Sequence, residues 1–403
     1  MDLQDLQKGS EQPIQTAISR QSYVQLLRGL LQCVAQVAPL AESVPPKLYG
    51  GTERVVSWLT EELTDLGHDV TLFASGDSIT RADRVPIIPR ALRLSRPHGD
   101  PVSSYAILLD KLVDRAGDFD VIHCHTDWLH VPVLRSLGVP FLTTLHGRLD
   151  LPALRGAARH FGDTALVSIS NSQRAPVSNL GWLHTVYHGL PPDLLKANFS
   201  GGEYLAFLGR FSPEKGPHVA IRWAQTAGLP LRIAAKLSRG ETRFFKEQIE
   251  PFLDGQQVEY VGEVNDASKS DFLGRAKALL FPIDWPEPFG LVMIEAMACG
   301  TPVIALPCGS VPEIVSDSKT GFIVRSDIDA VNAINRIRDI DRRHVRDEFE
   351  RRFCAHRMAQ DYLRCYSDLR SRVKPLEGFG VEIRGTMAPQ SILATESGVT
   401  SSA

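Results

Sequence analysis

The sequence predicts an α/β protein made of two doubly wound parallel-sheet domains that face a cleft. Three observations carry this. Short, continuously apolar runs recur along the chain with amphipathic stretches between them. A run that is apolar throughout reads as a strand covered on both faces, and its alternation with helices reads as βαβ units. The rhythm breaks at Asn198-Phe-Ser-Gly-Gly-Glu203 and then restarts, with enough chain on each side for its own sheet. The length, 403 residues, suits two domains or three.

Composition narrows the function. With 43% hydrophobic and 23% charged residues, the chain can bury a full core without staples. Lys+Arg number 44 against 47 Asp+Glu, a net charge of -3, which speaks against nucleic acid as a partner. The six cysteines form no C-x-x-C pair and mostly sit in apolar runs. They read as buried thiols of a reducing, cytoplasmic compartment rather than a disulfide or zinc framework. No apolar run reaches the ~18–20 residues of a membrane span. Leu26–Leu40 has the apolarity of a signal segment, but Arg28 interrupts it, and it reads as a buried strand.

In chain order, residues 1–28 are a polar, unpatterned extension. The first domain, 29–198, carries strand-like runs at Cys33–Val37, Val70–Ala74, Val121–Cys124, Phe141–Leu145 and Ala165–Ile169, with helical stretches such as Thr52–Leu66 and Val102–Ala116. The second, 199–360, carries Tyr204–Leu208, Leu231–Ala235, Val258–Val261, Ala278–Phe281 and Val303–Leu306, with helices at Glu214–Ala227 and Phe289–Cys299. From Ala330 to about Arg372 the chain is helical and Arg-rich with nearly balanced charge, which reads as a solvated amphipathic helix. Residues 374–403 form a tail expected to be partly disordered.

The most informative segment is Phe281-Pro-Ile-Asp-Trp-Pro-Glu287-Pro-Phe-Gly-Leu-Val-Met-Ile-Glu295-Ala-Met-Ala-Cys-Gly300. It reads as strand, loop, helix and glycine stop, with Pro288 presetting the first turn. The amides of Phe289, Gly290, Leu291 and Val292 then form an anion site at a helix N-terminus. Glu287 and Glu295 bracket it, about 10–12 Å apart along the axis. That is too far for an acid/base pair on one bond, but it suits a nucleotide-sugar, with Glu287 at sugar hydroxyls and Glu295 at the ribose diol. The plain alternatives are a loop charge and a helix-surface charge. Against the latter, Glu295 lies among Met293, Ile294, Ala296 and Met297, where a stray charge is costly.

Leu208-Gly209-Arg210-Phe-Ser-Pro-Glu-Lys215-Gly216 follows a strand and leads into a helix, so Arg210 and Lys215 can clamp a diphosphate. It also reads as a surface loop with two cations, and it is not a P-loop. Gly50 and Gly51, between the first strand and first helix, permit close approach of amides to phosphate, or simply make a tight turn. His123 and His125 share a strand face, but no third and fourth metal ligand are evident, and no metal site is assigned. His146, at a strand end beside Gly147, is the better candidate for a reacting group. His188-Gly189 reads as a turn or hinge, and Asp118-Phe-Asp120 as a surface turn.

These residues together resemble a known family, the retaining glycosyltransferases of family 4 with the GT-B fold. The matching pieces are Tyr49-Gly-Gly-Thr-Glu53, Thr144-Leu-His-Gly147, Gly209-Arg210 with Lys215-Gly216, Glu287-x7-Glu295 with Ala-Cys-Gly-Thr-Pro-Val, and Gly309-Ser-Val-Pro-Glu313. The resemblance implies two Rossmann-like domains, with the acceptor mainly on the first and the nucleoside-diphosphate sugar mainly on the second. A last helix, 361–373, would cross back to the first domain. It further implies that Arg210 and Lys215 stabilise the leaving diphosphate and that Glu295 binds the ribose. Glu287 and His146 would lie at the donor sugar, with Gly50 and Gly51 reaching the diphosphate across the cleft. Phe289, Gly290 and Leu291 belong to the donor site.

The expected activity is hexosyltransferase-type transfer with retention to a sugar, lipid or small-molecule acceptor, with no cofactor and no metal required. A weak peripheral membrane contact stays open. The alternatives are a non-catalytic nucleotide-sugar binder and a GT-B epimerase; a phosphorylase and a Rossmann dehydrogenase lack their marks in this sequence.

Overall fold

A computed structural model describes residues 33–47, 50–95 and 99–372. The expected extension 1–28 and tail 374–403 lie outside the described residues. The first sheet contains β1 (Cys33–Val37), β2 (Asp69–Ala74), β3 (Asp83–Pro86), β4 (Val121–Cys124), β5 (Phe141–Thr144), β6 (Leu166–Ser168) and β7 (Trp182–Thr185). Its order is β3-β2-β1-β4-β5-β6-β7. The second contains β8 (Tyr204–Arg210), β9 (Leu231–Lys236), β10 (Val258–Gly262), β11 (Ala276–Phe281), β12 (Val303–Ala305) and β13 (Gly321–Ile323), ordered β10-β9-β8-β11-β12-β13. All pairings between these strands are parallel.

The central strands are buried because both faces carry helices. In β1 Val34, Ala35, Gln36 and Val37 are fully buried, and β11 hides Ala278, Leu279 and Leu280 completely. In each sheet the order reverses beside the strand that opens the domain, β1 or β8. Loops leaving the C-terminal ends at that reversal diverge and leave a crevice, which is where such sheets bind ligands.

Three strands had no apolar run to announce them. β3 is a polar, mostly exposed edge (Asp83-Arg-Val-Pro). β7 is a half-exposed edge, and β13 has only 3 residues. Each takes its form from a neighbour's ladder, not from its own pattern. The Arg-rich C-terminal stretch is corrected too. It is not one solvated helix but the helices Asp327–Asn335, Arg342–Phe353 and Ala355–Arg372. The last two bury Val345, Phe349, Phe353, Met358, Tyr362, Tyr366 and Leu369. The final helix begins at Ala355, ahead of the expected 361. It packs on the Gly51–Asp65 helix, β5 and β7 of the first domain. Leu190 exchanges backbone hydrogen bonds with Phe353 and Ala355 (3.0 and 2.9 Å) where it crosses.

Candidate active site

β11 ends at Phe281, and the loop that follows turns into the helix Leu291–Ala298. The sequence reading started this helix two residues early. Gly290 is its N-cap, in the left-handed region at φ 80, and Pro288 lies in the loop before it. A side chain at Gly290 would also meet Met293 Cε at 2.8 Å, so glycine is required for the turn. The Leu291 and Val292 amides at the start of the helix have no carbonyl within it to bond and form an electropositive mouth, while Met293 N–H closes on Gly290 O at 3.0 Å.

Glu287 stands beside that mouth. Its carboxylate is ion-paired to Lys215 and accepts a hydrogen bond from Trp285 Nε1 at 2.7 Å. The Lys215 ammonium lies 4.8 Å from the Trp285 ring centroid. Gly309, at φ 58, lets the next loop press on the Glu287 backbone, where a Cβ would sit 2.3 Å from its nitrogen. Ser310 then donates its amide to Glu287 O (3.0 Å) and its hydroxyl to Phe289 O (2.7 Å). The loop is thus held from both ends before any ligand arrives.

Glu295 is not a helix-surface charge. It is 6% exposed, and Lys269 Nζ donates to it at 2.7 Å. Lys269 also lies 3.3 Å from Asp266 Oδ1. A buried charge among Met293, Ile294, Ala296 and Met297 is tolerable only when paired, and the ion pair meets that need.

Arg210 leaves the end of β8 and forks between Glu241 (3.0 Å) and Glu214 (3.1 Å). Ser212 fixes Glu214 by a 2.7 Å hydrogen bond. Arg210 and Lys215 are thus both paired with carboxylates.

The first domain supplies the facing wall. Gly51 opens the Gly51–Asp65 helix with Gly50 as its extended N-cap. A Cβ on Gly51 would lie 3.6 Å from Leu291 Cδ1, so the two helix mouths confront each other. Arg54 of this helix pairs with Asp266 of the second domain. Arg148 lies 5.3 Å from the Trp285 ring centroid, and Ser170 donates to Pro288 O at 2.6 Å. Glu313 accepts the Asn171 and Ser172 amides at 2.8 and 2.7 Å.

One cleft of about 790 Å³ collects these groups. Gly50, Gly51 and His146 line it from the first domain; Arg210, Lys215, Glu287, Phe289, Gly290, Leu291 and Glu295 line it from the second. Lys269, Arg54, Asp266 and Trp285 also line it, and the sequence reading had passed over them. The topological rule was the available signal: the loop after β10, whose Asn265 caps the helix Asp266–Gly274, had to open toward the same crevice.

The histidines gather behind His146. His146 Nε2 lies 2.8 Å from His125 Nδ1. His123 bonds Tyr366 (2.9 Å) and Thr144 (2.8 Å). His188 stacks on His146 with centroids 5.3 Å apart and meets Phe289 edge-on at 4.8 Å; it is buried there rather than a bare turn. Both nitrogens of His123 are engaged by Tyr366 and Thr144, and the second nitrogen of His125, Nε2, lies 2.9 Å from Gln36 Oε1. Burial holds the His146 imidazole down to about 3, so the ring is neutral at ordinary pH. Asp118 and Asp120 are spent locally, on Arg115 (2.9 Å) and the Cys33 amide (3.1 Å). Tyr49 lies outside the described residues. Among the described residues no helix is long and apolar enough to cross a membrane.

Comparison with known proteins places this geometry. Residues 196–351 match the model of glycosyl transferases group 1, and residues 49–194 match that of glycosyltransferase family 4. The chain is 26% identical over 326 residues to phosphatidyl-myo-inositol mannosyltransferase of Mycolicibacterium smegmatis, spanning 73% of this chain and 81% of that protein. It is 25% identical over 392 residues to glycogen synthase of Mycobacterium tuberculosis, spanning 79% and 92%. Among solved structures, AviGT4, a glycosyltransferase involved in avilamycin A biosynthesis, superposes with a TM-score of 0.66 at 24% identity, covering 85% of this chain and 98% of that one. HepE of Anabaena, in complex with UDP and glucose, gives 0.65 at 19%, covering 84% and 100%.

Proposed function

The chain belongs to the group 1, family 4 glycosyltransferases of GT-B fold, and from that membership we propose that it transfers a sugar from a nucleoside-diphosphate sugar to an acceptor hydroxyl, with retention and without a divalent metal. One observation carries the reading: Arg210, Lys215 and the Leu291 helix mouth line one cleft together with Glu287 and Glu295. A diphosphate at the mouth places its ribose toward Glu295 and its sugar toward Glu287 and His146.

As the glycosidic bond breaks, negative charge grows on the diphosphate. The helix amides, the Arg210 fork and the Lys215 ammonium stabilise it where a metal otherwise would. The ion pairs to Glu214, Glu241 and Glu287 keep both cations oriented until phosphate competes for them, so little reorganisation remains for the transition state. For retention, the acceptor hydroxyl attacks on the face the diphosphate leaves, giving its proton to a phosphate oxygen. The likeness to a mannosyltransferase acting on phosphatidylinositol and to a glycogen synthase leaves the acceptor a lipid, a sugar or a small molecule.

The test is a panel of UDP-, GDP- and ADP-sugars. A true donor at ~100-fold its dissociation constant adds ~2.7 kcal/mol of stability. Transfer is then followed with chelator present and the product anomer read by NMR. Saturable binding with neither transfer nor hydrolysis would make the protein a sensor; an inverted anomer or loss of activity on chelation would overturn the mechanism.

A further inference from the structure

Behind the cleft runs a closed chain of buried hydrogen bonds that reaches the last helix. Gln36 Oε1 lies 2.9 Å from His125 Nε2. A carbonyl oxygen only accepts, so that ring nitrogen carries a proton. The lone pair of neutral His125 is then on Nδ1, 2.8 Å from His146 Nε2. His146 must donate there, which leaves its own Nδ1 bare. That atom is buried with no protein partner, on a side chain that lines the cleft.

The direction of the chain is decided at Gln36. Its Nε2 donates to the Tyr366 hydroxyl at 3.1 Å, and Tyr366 lies 2.9 Å from His123 Nδ1. Reversing the amide would reverse each proton down to His146 and leave a buried N–H without an acceptor. An orphaned donor is rarer in proteins than an under-used acceptor, so the observed direction is the stable one while the cleft is empty.

We propose that Gln36 is a positioning residue: held by Tyr366 of the Ala355–Arg372 helix, it fixes His146, in the wall of the cleft, as the Nε2–H tautomer. This rests on the reading that the cleft holds the donor sugar. It makes the crossing helix part of the site, since the Tyr366 hydroxyl from the second half of the chain takes the amide proton of Gln36 in the first.

The full chain, labelled with 15N-histidine, gives the test through long-range proton–nitrogen spectra. The His146 signals are identified by their loss in His146→Asn. The expected result is a single Nε2–H tautomer at His146 without ligand. Gln36→Met removes the accepting carbonyl at nearly constant volume; it should mix the two tautomers and lower kcat about tenfold, the worth of one hydrogen bond, with the donor KM little changed. Tyr366→Phe keeps the ring and should produce a smaller share of the second tautomer, which covers the case in which Gln36→Met does not fold. An Nδ1–H tautomer at His146 in the unsubstituted protein, or an unaltered tautomer in either variant, overturns the proposal. Should no nucleotide-sugar be turned over at all, the transferase reading falls, while the ligand-free spectra still decide the role of Gln36.

Discussion

Lys269 Nζ and Glu295 Oε1 stand 2.7 Å apart, their side chains only 9% and 7% exposed. The residue read as a ribose ligand is therefore one half of a buried ion pair. It has two tasks, and they can be separated. Glu295→Ala should weaken donor binding at least tenfold, through loss of charged hydrogen bonds. It should also destabilise the fold by about 3 kcal/mol, because Lys269 is left buried and unpaired save for Asp266. The pair Lys269→Met with Glu295→Met should recover the melting temperature but not donor binding. Recovery of both, by calorimetry and titration, would refute the assignment.

Arg210 is gripped by Glu241 and Glu214 through separate nitrogens. Lysine cannot span that fork. Arg210→Lys should lower kcat roughly 100-fold, comparable to losing one transition-state donor. Stability should barely move, since partly exposed pairs contribute little. Steady-state kinetics with the best donor decide it: kcat within twofold of the parent would remove Arg210 from the mechanism.

The site and the fold were legible to different depths. The central strands announce themselves because they are covered on both faces and must be apolar throughout. β3 and β13 do not, since an edge or a short strand is set by its partner. Glu287, Glu295 and the helix mouth were legible because strand, loop and helix are contiguous in sequence. Arg54 and Asp266 were not, because their pairing joins positions far apart in the chain. The helix start was misplaced because Pro288 is as good an N1 residue as Leu291; only the left-handed turn at Gly290 separates them.

Five imidazoles, those of His123, His125, His130, His146 and His188, are held neutral by burial, and their pKa values are lowered. His130 and His146 fall to about 3. The unfolded chain protonates them near 6.5. Above that pH neither state holds the extra protons, and stability is full. As pH falls from about 6.5 toward the folded values, the unfolded state gains protons that the native state refuses. Each such group then removes up to ~1.4 kcal/mol per pH unit. Urea midpoints should be level from pH 8 to 7 and drop steeply by pH 5. A level profile through pH 5 would show that these rings are not kept neutral.

Arg54 and Asp266 tie the first helix of one domain to the Asp266–Gly274 helix of the other, directly across the cleft. Several other crossings, among them Ser170 on Pro288 O, Glu313 on the Asn171 and Ser172 amides and Leu190 on Phe353 and Ala355, involve backbone and are harder to release. The Arg54 pair is a side-chain contact with 17% and 35% exposure, so it is worth about 1 kcal/mol or less. That suits a latch biasing closure and not a lock. Arg54→Ala should raise donor KM about threefold to fivefold, as expected for ~1 kcal/mol, and leave kcat within twofold. It should also enlarge the radius of gyration of the ligand-free protein in solution scattering. Asp266→Asn should behave alike; it also removes a charge beside Lys269, which makes Arg54→Ala the cleaner probe. Raised salt should imitate both in the parent and do little to the variants, because screening acts on a pair that only the parent retains. If the parent and Arg54→Ala scatter identically and share one KM, the Arg54–Asp266 pair has no part in closure.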